Sequence, residues 1–307
     1  LSTSKDEQVP TAKVIVNPYS GRWKARDNVP RVEAALARAN LPYDLVLTSR
    51  ADEGIDLAAE AARAGFSPII AVGGDSTCSE ILNGLIAAAG DGPTVPMGII
   101  PLGTANDLAY GLGIPAEVEP AVEIVAAGHT RIIDAGRVNG RYFDNNSAVG
   151  LEPEVTLENE RLVHIRGTVR YIIAALITIM RRPVWEMSIQ WDWGEYEGPA
   201  LLVSIGNNRR TGGFFFMTPE AELDDGLLDF VYAPAMSRLN LLRLLPMTFS
   251  GSHIRRPEVV SGRTTQLHIR CRPGTAIQAD GEVFEHDASE CLYEIVPAKL
   301  TVLVASP

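Results

Sequence analysis

The sequence predicts an α/β fold: a parallel sheet layered between helices, followed by an antiparallel β-sandwich. Three observations carry this expectation. Strand and helix patterns alternate up to about Gly128, the grammar of a parallel sheet covered on both faces. Strand then follows strand, starting at the hairpin signal Asn139-Gly140, a pair suited to the positive φ angles of a type I′ turn. The chain has 307 residues, and at about 150 residues per domain that allows two domains. The expected boundaries are 11–129 and 130–307. The connection at Gly128–Thr130 is short, so the domains are expected to touch and leave a cleft.

The elements follow in order. Lys13–Asn17 is a β-branched strand, and Arg31–Ala39 a helix with Pro30 placed for its first turn. Tyr43–Thr48 is the next strand, and Glu53–Ala64 an Ala-rich helix stopped by Gly65. Pro68–Val72 is apolar throughout, as a strand covered on both faces should be. Cys78–Ala89 carries Ile81, Leu82, Leu85 and Ile86 on one helical stripe. Met97–Ile100 is the fourth strand, and Glu117–Ala127 a helix closed by Gly128. Beyond the boundary come strand patterns at Arg131–Val138, Arg141–Asn146, Trp185–Trp191, Ala200–Ile205, Leu227–Tyr232, Thr265–Arg270, Ala276–Ala279 and Leu292–Val304. Helical patterns at Val169–Met180 and Arg238–Met247 interrupt them.

Composition narrows the function classes. The chain is 46% hydrophobic and 21% charged, with a net charge of −11, which suits a cored globular protein and disfavours nucleic acid as the main partner. Residues 1–135 hold 17 acids and 10 bases, the remainder 21 and 17, so the second part is nearer neutral. Cys78, Cys271 and Cys291 form no CxxC and read as reduced thiols of a cytoplasmic protein. His129, His164, His253, His268 and His286 show no metal spacing. Leu1–Pro10 has no apolar signal segment, and the longest apolar run, Tyr171–Met180, is about half a membrane span. A protein of this kind that acts on lipid would approach the membrane from the side.

Three loops at the carboxyl ends of parallel strands attract attention. Gly73-Gly74-Asp75-Ser76-Thr77 joins an apolar strand to an amphipathic helix; glycines there let backbone N–H groups approach an anion, and a helix N-terminus favours phosphate. The same residues also fit a tight turn with Asp75 or Thr77 as the N-cap. Asn17-Pro18-Tyr19-Ser20-Gly21 and Gly103-Thr104-Ala105-Asn106-Asp107 are ordinary turn chemistry singly. Together the three lie on the sheet edge where open α/β folds bind ligands. No Walker A or G-x-G-x-x-G pattern is present. In the second part, Asp280-Gly281-Glu282 would place both acids on one face of an extended strand, or form a solvated turn.

With Ile133-Asp134-Ala135-Gly136, Gly206-Asn207-Asn208 and Glu222-Leu223-Asp224-Asp225-Gly226-Leu227, these motifs run in order along nearly the whole chain. The chain resembles the diacylglycerol kinase and sphingosine kinase catalytic family, especially its bacterial members. The resemblance implies an NAD-kinase/diacylglycerol-kinase-like fold, with ATP and Mg²⁺ bound in the interdomain cleft. It places ATP phosphates against Gly73, Gly74, Asp75, Ser76 and Thr77. Asn17, Pro18, Tyr19, Ser20, Gly21, Thr48, Gly103, Thr104 and Asn106 become further nucleotide contacts. It makes Asp134 and Asp225 acids of a magnesium and water network. Asp225, with the carbonyls of Glu222 and Leu227, would hold a structural magnesium. Glu282 is then the general base, with Asp280 its rival.

The resemblance also implies a lipid acceptor, diacylglycerol above all, taken up by transient peripheral contact with the inner membrane surface. Arg255 and Arg256 are candidate contacts with anionic lipid. The acceptor pocket is expected between about Gly150 and Gly213. Whether the protein is a homodimer stays open. So do two rival readings: a regulator of the same fold that has lost activity, and a NAD kinase. The first rests on Ser76, where the family usually has Gly; a left-handed backbone there would cost Ser about 1–2 kcal/mol.

Overall fold

A computed structural model describes residues 11–162, 164–165 and 168–306, leaving Leu1–Pro10 of the expected leaderless N-terminus outside the described residues. The chain gathers into two compact units. One runs up to Ile132 and takes back the chain from Lys299 onward; the other is Ile133–Ala298.

In the first unit, five strands lie parallel. They are β1 (Ala12–Val16), β2 (Tyr43–Leu47), β3 (Ile69–Gly73), β4 (Met97–Pro101) and the end of the last strand, in the order last–β4–β3–β1–β2. β3 and β4 are buried along their whole length, as their uninterrupted apolar runs require. Helices α1 (Lys24–Arg38), α2 (Glu53–Arg63), α3 (Asp75–Ala89), α4 (Asp107–Gly111) and α5 (Val118–Ala127) connect them. α1 packs on α5, and α2 on α3. Gly84 lets the second pair close up, since a Cβ there would stand 2.2 Å from the Ile55 carbonyl oxygen.

The order reverses between β1 and β3. Chain leaving β1 returns on one side as β2, and chain leaving β3 returns on the other as β4. Such a switch point leaves a crevice at the carboxyl ends of the two strands.

Three expectations need correcting here. α1 begins at Lys24, after a turn in which Gly21, Arg22 and Trp23 all have positive φ. Pro30 is therefore inside the helix, where it supplies no N–H to the Arg26 carbonyl. α3 begins at Asp75, with Gly74 as N-cap, so neither Asp75 nor Thr77 is the cap. Residues 299–306, expected with the second domain, belong to the first unit. Val302 pairs with Met97, and the Lys299 ammonium donates to the carbonyls of Gly90 and Gly92 at 2.5 and 2.8 Å.

The second unit is antiparallel. Its strands are β5 (Thr130–Val138), β6 (Arg141–Phe143), β7 (Asn146–Gly150), β8 (Trp185–Trp191), β9 (Gly194–Gly206), β10 (Leu228–Pro234), β11 (Val260–Thr264), β12 (Gln266–Ala279) and β13 (Glu282–Leu303). β5 and β6 form the expected hairpin, with Asn139 at φ 45° and Gly140 at 89°. β7 and β8 each bridge β9 and β12, at opposite ends of those strands, which folds the sheet around one core. Phe143, Ile189, Phe230, Ile269 and Tyr293 are buried in it. Cys271 and Cys291 lie there too as free thiols, and burial pushes Cys271 up to about 12 and Cys291 higher, so both are inert.

A second apolar cluster lies under helices α6 (Leu151–Arg161), α7 (Thr168–Arg181) and α8 (Arg238–Leu244). β7, α6, β11 and the first half of β9 go beyond the sequence reading. So does β12, a single irregular strand where two were expected, its register shifting between Arg270 and Thr275. No helix among the described residues is long and apolar enough to cross a membrane.

Candidate active site

The switch point brings three loops together. Asn17 follows β1, its N–H bonded to the Val72 carbonyl and its side-chain oxygen accepting the Tyr19 N–H at 3.1 Å. The Ser20 hydroxyl lies 3.2 Å from that of Thr77 and accepts the Gly74 N–H at 3.3 Å. Pro18 is buried and Tyr19 exposed beside Trp23. Gly21, at φ +60°, leaves no room for a side chain, because a Cβ would stand 2.3 Å from the Leu102 oxygen. A Cβ on Gly103 would likewise meet the Gly74 Cα at 2.3 Å, and one on Gly73 the Thr77 hydroxyl at 2.3 Å. The Asn106 side chain closes the last loop on itself, accepting the Gly103 N–H at 2.9 Å. Backbone thus meets backbone at two places, and backbone meets a side chain at a third, next to the N-terminus of α3. Thr48 lies buried where β2 runs out, its N–H on the Val16 carbonyl, and Thr104 is exposed.

Asp75 turns inward. Its carboxyl accepts the Asp107 N–H at 2.5 Å and the Leu108 N–H at 3.4 Å, at the N-terminus of α4. Burial, and then the neighbouring Asp107, push it up to about 6 against the pull of these amides. Asp75 therefore ties the Gly-Gly-Asp loop to the loop after β4. Ser76 lies in the first turn of α3 with no positive φ, so the strain that would have weakened a nucleotide site does not exist. Glu80, one turn on, accepts the Asp52 and Gly54 N–H groups at 3.2 and 2.9 Å and anchors the start of α2.

In the second unit the named acids fall into two groups. Asp134 is buried, and both oxygens are taken by backbone: Gly226 N–H and Ala298 N–H, each at 2.7 Å. It thereby fixes the 222–227 loop. Asp225 accepts the Leu227 N–H at 3.0 Å within that loop, and its other oxygen lies 3.8 Å from Arg263. Glu222 is exposed, 4.0 Å from Arg209. A carboxylate and two carbonyls of one loop are the hard oxygen donors that Mg²⁺ takes, with water completing the shell. The residues fit such an ion, although no cluster of three or more His, Cys, Asp or Glu among the described residues would hold a metal by itself.

Asp280 and Glu282 do not share a strand face. Ala279 pairs with Glu282, and Asp280 (φ 48°) with Gly281 (φ 84°) makes the two-residue turn between β12 and β13. Nor is the turn solvated. The Asp280 carboxylate is buried and accepts three backbone N–H groups, from Asp144, Asn145 and Asn146, at 3.1, 2.9 and 3.2 Å. Glu282 is half-exposed, with the Arg141 guanidinium at 3.3 Å. Of the two, Glu282 presents its carboxylate outward.

Sequence reasoning did not find the apolar pocket under α6, α7 and α8. Its volume is about 100 Å³, and Val155, Tyr171, Phe215, Val231 and Leu241 are among its walls. Glu152, Tyr171, Thr211, Thr248 and His253 are the lining residues that carry polar side-chain atoms. The expected stretch 150–213 supplies part of this lining, and Leu241, His253 and Val259 come from beyond it. No local pattern marks Glu152, because what makes it unusual is the surroundings the fold brings to it.

Comparison with known proteins accounts for both units. Residues 11–138 match the diacylglycerol kinase catalytic domain, and residues 146–304 match the YegS C-terminal NAD kinase β-sandwich-like domain. A diacylglycerol kinase of Staphylococcus haemolyticus is 30% identical over 273 residues, 88% of this chain and 82% of that protein. One from Staphylococcus aureus is 28% identical, over 88% and 85%. The crystal structure of a diacylglycerol kinase from Bacillus anthracis shares the fold with a TM-score of 0.79 at 23% identity, covering 97% of this chain and 98% of the other. A β-sheet switch point lined with glycine and matches along both units make one case: the chain belongs to the diacylglycerol kinase family of lipid kinases.

Proposed function

We propose that the protein transfers the γ-phosphate of ATP, with Mg²⁺, to the hydroxyl of a neutral lipid, diacylglycerol giving phosphatidic acid. One observation carries the reading. Three strand-end loops approach at backbone contact beside a helix N-terminus, leaving N–H groups and small hydroxyls where a polyphosphate would lie. In this reading Gly73, Gly74, Ser76, Thr77 and the 17–21 and 103–106 loops hold the nucleotide. Asp75 holds the last two strand-end loops in register.

Mg²⁺ would neutralise phosphate charge during transfer. Asp225 and the carbonyls of Glu222 and Leu227 would hold the structural ion, in a loop that Asp134 fixes. Glu282 takes the proton of the attacking lipid hydroxyl, and Arg141 sets its carboxylate until that moment. Acceptor entry is peripheral. Met180 at the end of α7 and Leu239 in α8 are each 56% exposed, and Arg238 Nε joins the two helices through the Met180 carbonyl at 2.8 Å. Arg182, exposed next to Met180, stands beside them for anionic headgroups, whereas Arg181 is held by Glu158 at 2.6 Å. Of the arginines expected from sequence, Arg256 is already 3.4 Å from Glu258.

The test is γ-labelled ATP with diacylglycerol, monoacylglycerol, sphingosine, ceramide and phosphatidylglycerol in mixed micelles, and with NAD as a water-soluble acceptor. Mg²⁺-dependent label in phosphatidic acid is the expected result. Label in NAD alone, or bound ATP with no labelled product, sinks the reading.

A further inference from the structure

The turn between β12 and β13 leads into Glu282, and both of its own amides are committed to protein. The Asp280 N–H donates to the Asn146 carbonyl at 2.8 Å. The Gly281 N–H donates to the Gln278 side-chain oxygen at 2.9 Å. Asp280 and Gly281 both have positive φ, 48° and 84°, and an aspartate in that region persists only where its surroundings over-determine it. Here they do, because the Asp280 carboxylate also takes the N–H groups of Asp144, Asn145 and Asn146.

Gln278 is the member of this clamp that stability does not call for. Gly281 is exposed, so water can serve its amide. Instead the chain buries a glutamine in β12 and brings its side chain to that amide. Burying a long polar side chain costs rotamer freedom and hydration. Both polar atoms of the side chain are engaged: Oε1 accepts from Gly281, and Nε2 donates to the Asn146 side-chain oxygen at 3.2 Å. The Gln278 carbonyl accepts the Ser147 hydroxyl at 2.6 Å. Asn146 is held in turn, its side-chain amide 3.5 Å from both Ser204 Oγ and Glu152 Oε2. The bridge therefore runs from the interior of β7 out to the exposed turn.

The carboxylate of Glu282 is located from its other end as well. Arg141 lies 3.3 Å from it and belongs to β6, which leads directly into the residues that bind Asp280. Arg141 thus sets the head of the Glu282 side chain, and the Gln278 bridge sets its root. A base works within about 2.6–3.2 Å of the atom whose proton it takes, and a misplacement of about 1 Å can cost about 10²-fold in rate.

We propose that Gln278 is a positioning residue for phosphoryl transfer: its side-chain amide bridges the Gly281 N–H to Asn146 and so fixes the turn from which Glu282 meets the acceptor hydroxyl. This rests on the reading of Glu282 as the base. Gln278 acts through Glu282 and takes no proton itself.

The experiment is a double-substitution cycle on the full chain, with γ-labelled ATP, Mg²⁺ and diacylglycerol in mixed micelles and a melting curve for each protein. All rates are taken below the lowest melting temperature. Gln278→Met keeps the length of the side chain and removes both hydrogen bonds. It should lower kcat about 10- to 100-fold, within the 10²–10⁴-fold that a base supplies, with KM for ATP and for diacylglycerol within about threefold of wild type. Gln278→Glu keeps an oxygen to accept from Gly281 and should stay within about fivefold of wild type. In the Glu282→Gln background, Gln278→Met should slow transfer by no more than about twofold, since no base is left to misplace. A glutamine that served the fold alone would lower the melting temperature and slow both backgrounds alike. If Gln278→Met does not fold, Gln278→Asn, one methylene shorter and still polar, takes its place in the cycle.

Wild-type kcat in Gln278→Met overturns the proposal and leaves the kinase reading in place. So does an equal loss in the two backgrounds, or a Gln278→Glu protein no faster than Gln278→Met. A wild type that labels no acceptor is a different result: it removes the kinase reading, and the role of Gln278 in transfer falls with it.

Discussion

The first unit makes its candidate site out of backbone, and the second out of side chains. At the switch point the decisive contacts are Gly21 against the Leu102 carbonyl and Gly74 against Gly103, where a Cβ has no room. In the sandwich they are carboxyls: Asp134 and Asp280 spent on backbone amides, Glu282 presented outward, Glu152 buried beside an apolar pocket. The two materials fail differently. A backbone cradle tolerates changes in side-chain chemistry and no added volume. A carboxyl site tolerates some change in volume and little change in charge. Substitutions that exchange the two kinds of damage test whether the division holds.

The largest effect is expected at Glu282. Glu282→Gln keeps the shape and removes the basicity, so turnover should fall by about 10²–10⁴-fold with ATP affinity and melting temperature close to wild type. Asp280→Asn should do the reverse. It sets an amide N–H₂ against backbone donors that now share a carboxylate, and an unsatisfied buried donor costs about 1–3 kcal/mol. Its signature is lost stability, with turnover reduced only as far as the β12–β13 turn loosens. An Asp280→Asn protein that melts like wild type and is dead with ATP bound would make Asp280 the base and reverse the assignment.

Gly103→Ala probes the cradle. The added methyl would meet the Gly74 Cα and the Asn106 side chain, so the loops must part. Overpacking of this kind costs about 1–3 kcal/mol. Nucleotide binding should weaken by more than tenfold. Wild-type ATP affinity in Gly103→Ala would show that the loops need not touch.

This division also explains what was legible beforehand. The loops after β1, β3 and β4 could be read because glycine, asparagine and hydroxyl residues act on the backbone beside them. The Asn139-Gly140 turn was legible for the same reason. Asp280-Gly281 reads locally either as part of a strand or as a turn, because the pairing of Ala279 with Glu282 is not a local property. Glu152 gave no signal, since its lining comes from α6 through Val259, more than a hundred residues apart in the chain. The return of Lys299 to the first unit escaped for the same reason: its partners, Gly90 and Gly92, lie some two hundred residues earlier.

Glu152 sharpens the contrast through pH. Its carboxyl titrates near 4.5 when exposed and is pushed up to about 7 in the fold, with burial the largest cause. Between those values the folded state holds a proton that the unfolded chain has shed, so stability falls as pH rises through the window and levels off above it. A shift of that size is worth about 3 kcal/mol. Glu152→Gln does not titrate. Its melting temperature should match wild type near pH 4.5 and exceed it increasingly towards pH 8, when both are measured across that range. A difference that is constant with pH would mean that Glu152 is ionised in the fold throughout.

The smallest effect is expected at Ser76. Its backbone is right-handed and helical, so glycine relieves no strain there. Glycine in a helix costs about 0.5–1 kcal/mol against alanine, and serine itself part of that, so Ser76→Gly should lower stability by no more than about 0.5 kcal/mol. The cradle's shape is set by Gly74, Gly103 and Gly21, none of which the change touches. ATP affinity should therefore stay within about threefold of wild type, equal or slightly better, and the choice of lipid should not move. Nucleotide titration of the two proteins decides the matter. A drop of tenfold or more would mean that the Ser76 hydroxyl donates directly to a phosphate, and the first unit's site would then depend on a side chain after all.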